Sequence, residues 1–286
     1  MKIERFKEIE KGVVGLVEST LKAVAETSID DYKLLLIRAD FYRIIDSHPS
    51  CNLSPYVIDN PADIYLDVSR RRFLNHYLSE YVIKLEEKRF DNLESLEYEI
   101  NIQMMMYTHV WESRLFLKAL ERIASILSGK GYKWKSDIGI SKANFIKDHI
   151  INPLNKGQYS IGKYLEHLYD NELRNCFSHS THYIDCQNKK IHIDDKKSVL
   201  WKKTITFNEW EEMFICSVLL SYHLMSCLNK HRLCLANEMR ITPQLLERPL
   251  KSCPQKKQKF CVVSEFQQER SGHKIARFNY VRKKTD

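Results

Sequence analysis

An all-α fold is the reading this chain supports best, and three observations carry it. The 286 residues include only 8 Gly and 7 Pro, too few for a turn-rich β architecture. Apolar residues recur at three- and four-residue spacing over most of the length. From Asp63 to Leu127 neither Gly nor Pro interrupts the chain. A hydrophobic content of 43% with 11% aromatics supplies enough material for a sizeable core.

The elements follow in order. Ile9, Val13, Leu16, Val17, Leu21 and Val24 form one apolar stripe, which predicts a helix over 3–27. A second helix is expected over Tyr32–Ile45, and Pro49, Pro55 and Pro61 then mark a loop and a boundary. These parts, 1–60, read as an N-terminal helical extension. The run from Asp63 to Leu127 reads as two long helices broken near Asp91-Asn92, stopped by Gly129-Lys130-Gly131. A short helix around Ala143–Ile151 is expected to end before Pro153, and Ile161, Leu165 and Leu168 mark another. Asn171 is the expected N-cap of the next short helix, with Glu172 in its first turn. Tyr183-Ile184-Asp185 and Ile191-His192-Ile193 read as a small hairpin. Thr206 and Glu209 make a capping box, with Ile205 and Trp210 as a hydrophobic staple, so a helix is predicted from there to about Leu235. Residues 61–250 thus read as the main helical domain. Over 251–286 the pattern changes to Phe260–Val263 and Ile275–Val281, β-like and turning at Gly272: a small C-terminal β-hairpin or basic tail.

The formal net charge of +8 is unevenly placed. The first 229 residues carry 31 Lys and Arg against 32 Asp and Glu, whereas the last 57 carry 14 against 5. A basic appendage on a near-neutral body fits a polyanionic partner, with a solubilising tail as the plainer reading. The start, Met1-Lys2-Ile3-Glu4-Arg5, is charged rather than signal-like, and no apolar run approaches the ~20 residues of a membrane helix. The expectation is a cytoplasmic protein without membrane contact. Eight cysteines without a C-x-x-C pair then read as reduced thiols.

One stretch concentrates chemistry: Arg174-Asn175-Cys176-Phe177-Ser178-His179. Arg grips phosphate oxygens with a planar fork, and imidazole can both take and give a proton near neutrality. Asn175 and His179, four apart, share a helix face. Arg174 lies about 140° around the wheel from His179, within reach of a long side chain. His182 and Tyr183 are candidate helpers in substrate positioning. Arg70, Arg71 and Arg72 form a basic run suited to phosphate, although such runs are more often solvated faces.

R-N-x-x-x-H, preceded by a Leu-ended helix and followed by a short Tyr-Ile-Asp strand, resembles the HEPN superfamily over roughly 63–235. The resemblance implies an all-helical bundle and a metal-independent endoribonuclease with no cofactor, in which Arg174, Asn175 and His179 act on RNA. It also implies a homodimer that pools two copies of the motif, and a setting such as a toxin, phage defence or another RNA-cutting response, with a regulatory protein or antitoxin as a further partner. Related toxins often carry Tyr two residues after the His; here Tyr183 lies four after His179. The alternative is a non-catalytic HEPN-like module that binds nucleotide, RNA or a protein. A rival in the same window is a zinc site of Cys176, His179, His182 and Cys186, but four ligands within eleven residues do not span two elements as zinc sites usually do. Cys216, His223, Cys227, His231 and Cys234 on one helix face read mainly as core or interface. P-loop, dinucleotide and nucleophile-elbow motifs are absent.

Overall fold

The computed structural model describes residues 1–39, 61–87, 93–139, 141–194, 203–241, 244–250, 253–268 and 274–281. The protein is mainly α-helical, with two small antiparallel sheets among the described residues. The first helices are α1 (Ile3–Thr27), α2 (Ile29–Leu36), α3 (Pro61–Glu87), α4 (Leu93–Glu112) and α5 (Arg114–Leu127). After a loop come α6 (Lys142–Asn144), a π-helical stretch (Phe145–Ile151), α7 (Asn152–Lys156), α8 (Ser160–Leu168) and α9 (Asn171–Ser178). Strands β1 (His182–Asp185), β2 (Lys190–Ile193) and β3 (Lys203–Thr206) lead into the long α10 (Phe207–Ile241), and β4 (Gln244–Leu250), β5 (Cys253–Gln268) and β6 (Lys274–Val281) follow.

The middle of the fold is α10, because its apolar residues exceed one stripe. Trp210, Phe214, Ile215, Val218, Leu219, Leu220 and Leu224 are all buried. It packs against α1, α2, α4, α8 and β5. Its length and composition would suit a membrane span, but 67% of its most apolar window is buried within the protein, as befits a core helix. Aromatic packing joins it to α4, the ring centroids of Tyr107 and Trp210 being 5.4 Å apart, and Trp111 of α4 lies 4.9 Å from Tyr169 at the end of α8. Helix α1 buries Phe6, Val13, Val17, Leu21 and Val24 against α10 and α5. One continuous core runs from Phe6 to Phe278, so residues of all three segments distinguished in the sequence enter it.

Several local expectations hold. The α10 capping box forms reciprocally: the Thr206 N–H donates to Glu209 Oε2 at 2.9 Å, and the Glu209 N–H to Thr206 Oγ1 at 3.3 Å. Gly129 and Gly131 take φ of +73° and +72° after α5, which side chains resist. Strands β1 and β2 pair antiparallel, Tyr183 opposite His192 and Ile184 opposite Ile191. Beyond the expected hairpin, β3 joins β2 as a third strand. The C-terminal region is likewise a three-stranded antiparallel sheet, with β5 between β4 and β6; the turn assigned to Gly272 lies outside the described residues. Buried Arg232 of α10 anchors this sheet, donating to the carbonyls of Leu36 and Ala276 at 2.8 and 3.2 Å and lying over the Phe278 ring.

Other boundaries differ for physical reasons. The break expected near Asp91-Asn92 lies outside the described residues, and the 63–127 run is also broken at Ser113. Ser113 Oγ accepts the Phe116 N–H at 3.4 Å, and buried Asp67 of α3 takes the Ser113 hydroxyl at 3.0 Å and the Leu115 N–H at 2.8 Å. A carboxylate 46 residues away thus satisfies the first turn of α5. Helix α2 ends at Leu36, with Arg38 at a φ of +55°; residues 40–45 and the prolines at 49 and 55 lie outside the described residues. The helical chain at 142–156 runs through Pro153, because the wider π turns of Phe145–Ile151 precede it and Pro153 takes the second position of α7, where an N–H is not needed.

Candidate functional site

Helix α9 carries the R-N-x-x-x-H stretch, and its two ends are set by different means. Asp170, not Asn171, is the N-cap. Its carboxylate accepts from the Glu172 and Leu173 N–H groups at 2.8 and 3.0 Å, because its extended backbone places that oxygen over the first turn. The Asp170 N–H donates to Tyr107 Oη at 2.8 Å, and Lys203 of β3 pairs with the same carboxylate. Leu173 and Cys176 are buried beneath the helix. At its C-terminus, the Thr181 N–H donates to Cys176 O at 2.8 Å and the Ser180 N–H to Phe177 O at 3.1 Å, with Ser180 at a φ of +52°. This is a Schellman turn with serine where glycine is usual. It leaves His179 as the C-cap residue, exposed to solvent, with no hydrogen bond from its ring among the described residues.

Arg174 is largely enclosed, its side chain only 14% exposed. Its Nη2 donates to Asn175 Oδ1 at 3.0 Å, and its Nη1 reaches Glu112 Oε1 at 3.4 Å. Glu112, the last residue of α4, also pairs through Oε2 with Lys142 of α6. Arg70 of α3 donates to Asp67 Oδ1 at 3.0 Å and to the Glu112 carbonyl at 3.5 Å. Three cations from three helices therefore converge on Glu112 and Asp67. Burial, and then the charges of Arg174 and Arg70, pull Lys142 below the ordinary lysine value, against an opposing pull from Asp67. His109, one turn before Glu112, is held below the ordinary imidazole value by burial first and Arg70 second.

The candidates named from the sequence thus divide. Arg174 and Arg70 meet around one residue. Asn175 orients the Arg174 guanidinium rather than the imidazole. Arg71 is half-buried, and burial lowers its basicity against the opposing pull of Asp67 and Tyr222, while Arg72 is exposed; successive helical positions point about 100° apart. His182 is a brace, its Nδ1 3.4 Å from Cys176 O and its Nε2 3.4 Å from Asn101 Oδ1. Tyr183, 54% exposed, stacks on His192 of β2 at 6.1 Å. Glu112, Lys142 and Asp67 went unnoticed in the sequence, since separations of 30 and 62 residues leave no periodic signal.

The zinc reading gains nothing from this geometry. Cys176 is buried, its Sγ donates to Leu173 O at 3.1 Å, and burial pushes its thiol up to about 12. Among the described residues no three His, Cys, Asp or Glu side chains group as a metal site. On α10, Cys216 faces Tyr164, His223 meets Glu10 of α1 at 3.2 Å and His231 meets Tyr32 of α2, which matches the core-and-interface reading. A separate cavity of about 620 Å³, lined in part by Leu85, Ile100, Phe207 and Trp210, shares no residue with the Arg174 cluster. No family model, curated protein or solved structure matches the chain.

Proposed function

We propose that the chain is an endoribonuclease of HEPN type that cuts RNA without a metal ion, at a site shared by two copies of α9 in a homodimer. The observation that carries this reading is the arrangement of α9: a guanidinium oriented by Asn175 and Glu112, and an exposed imidazole at the C-cap five residues on. In the proposed reaction one His179 takes the proton of a ribose 2′-OH, and the 2′-oxygen bonds to the adjacent phosphorus. The bond to the 5′-oxygen breaks, and the partner's His179 protonates that leaving oxygen. The products are a 2′,3′-cyclic phosphate and a 5′-OH end. Arg174 holds the non-bridging oxygens, where charge builds in the transition state. Positioned acid–base groups are worth about 10²–10⁴-fold in rate. By family resemblance the setting is a toxin or phage-defence effector in the cytoplasm.

The test is RNA cleavage in excess EDTA by wild type, Arg174→Ala and His179→Ala. Cleavage by wild type only, leaving cyclic phosphate ends, is the expected result. One observation favours a second reading, a non-catalytic module that binds nucleotide, RNA or protein: Arg174 is already engaged by Glu112. On that reading His179→Ala leaves binding intact and wild type cuts nothing.

A further inference from the structure

The geometry points to a phosphate site built from Arg70, Lys142 and Arg174, in which Glu112 is the resident counter-ion that a backbone phosphate of the bound strand displaces. This deepens the nuclease reading and rests on it for the identity of the strand. Three features carry the inference. First, the site holds three cations, Arg70, Lys142 and Arg174, against two carboxylates, Asp67 and Glu112. Second, the two carboxylates are not equivalent. Asp67 is fully buried and committed to Arg70, the Ser113 hydroxyl and the Leu115 N–H, so it belongs to the scaffold. Glu112 is 25% exposed and bridges Lys142 and Arg174, themselves 26% and 14% exposed. Third, the Arg174–Glu112 contact is long at 3.4 Å, while Asn175 independently orients the guanidinium, so Arg174 keeps its aim when the carboxylate swings away. A phosphate offers more acceptor oxygens than the carboxylate it replaces, and guanidinium matches it bidentately. Lys142 and Arg70 thereby become substrate-binding residues from outside α9, and Glu112 a competitor that sets affinity.

The experiment uses a fluorescent single-stranded DNA oligonucleotide, which carries the phosphates but lacks the 2′-OH and is not cut. Anisotropy gives its Kd for the full chain across a salt series. Glu112→Gln is expected to tighten binding about tenfold, because the displaced acceptor is no longer charged. Lys142→Gln is expected to weaken it by a similar factor and to reduce the slope of log K against log salt by about 0.7, the value for one contact to a single strand. Lys142→Arg restores the slope. Glu112→Asp, which keeps the charge but shortens the reach, guards against a fold defect in the Gln variant and is expected to tighten binding less. Unchanged or weaker binding in Glu112→Gln and Glu112→Asp, both melting like wild type, would overturn the proposal, as would an absence of DNA binding by wild type and Glu112→Gln alike. The two readings fail separately. RNA cleavage without the Glu112 effect removes this inference alone, and the Glu112 effect without RNA cleavage removes the nuclease alone.

Discussion

Asp170→Ala tests whether the motif helix is held at its N-terminus by the cap we describe. Asp170 accepts from two backbone N–H groups at 2.8 and 3.0 Å. Losing such a cap costs about 1–2 kcal/mol. Its ion pair with Lys203 is part-exposed, the side chains being 18% and 39% accessible, so solvent screening limits it to at most about 1 kcal/mol. Asp170→Ala should therefore cost about 1–3 kcal/mol, whereas Asp170→Asn keeps the acceptor oxygen, loses only the charge and should cost at most about 1 kcal/mol. Urea unfolding followed by circular dichroism reads the difference as a shift in midpoint at constant slope. If Asn costs as much as Ala, the charge rather than the cap holds the helix. If Ala costs less than about 0.5 kcal/mol, Asp170 does not organise α9 at all.

Three further outcomes are expected. Tyr107→Phe removes a fully buried hydroxyl that donates to Leu168 O and accepts from the Asp170 N–H, both at 2.8 Å; orphaning those groups should cost about 1–3 kcal/mol in the same assay, and a neutral result would mean that both find other partners. Ser180→Gly relieves the left-handed backbone of the Schellman turn and should stabilise by about 0.5–1 kcal/mol, with a destabilised variant counting against that turn. His109 is held below the ordinary imidazole value of 6.5, so the unfolded chain takes up its proton at higher pH than the folded one, and stability falls as pH drops below about 6.5. His109→Phe should flatten the decline of the unfolding midpoint between about pH 7 and about pH 5, and an unchanged slope would place that sensitivity elsewhere.

What the sequence determined alone were the features whose physics spans a few residues. Thr206 and Glu209 are three apart, and each satisfies the other's N–H, so the start of α10 was legible. The apolar stripe of Ile9, Val13, Val17 and Leu21 predicts α1 because burial on one face must recur with the helical period. Arg174, Asn175 and His179 were legible as one short cluster, since all lie within two turns. Tertiary structure decided the rest. Ser113 interrupts an unbroken helical pattern because Asp67, far along the chain, offers its carboxylate to the new first turn. Asp170 displaces Asn171 as the cap, a choice between neighbours made by the path of the backbone beside Tyr107. Of three consecutive arginines only Arg70 joins Arg174, because packing selects one face of α3. The meeting of Arg70, Glu112, Lys142 and Arg174 follows from how helices pack, and no periodicity within one segment encodes which charges that packing will bring together.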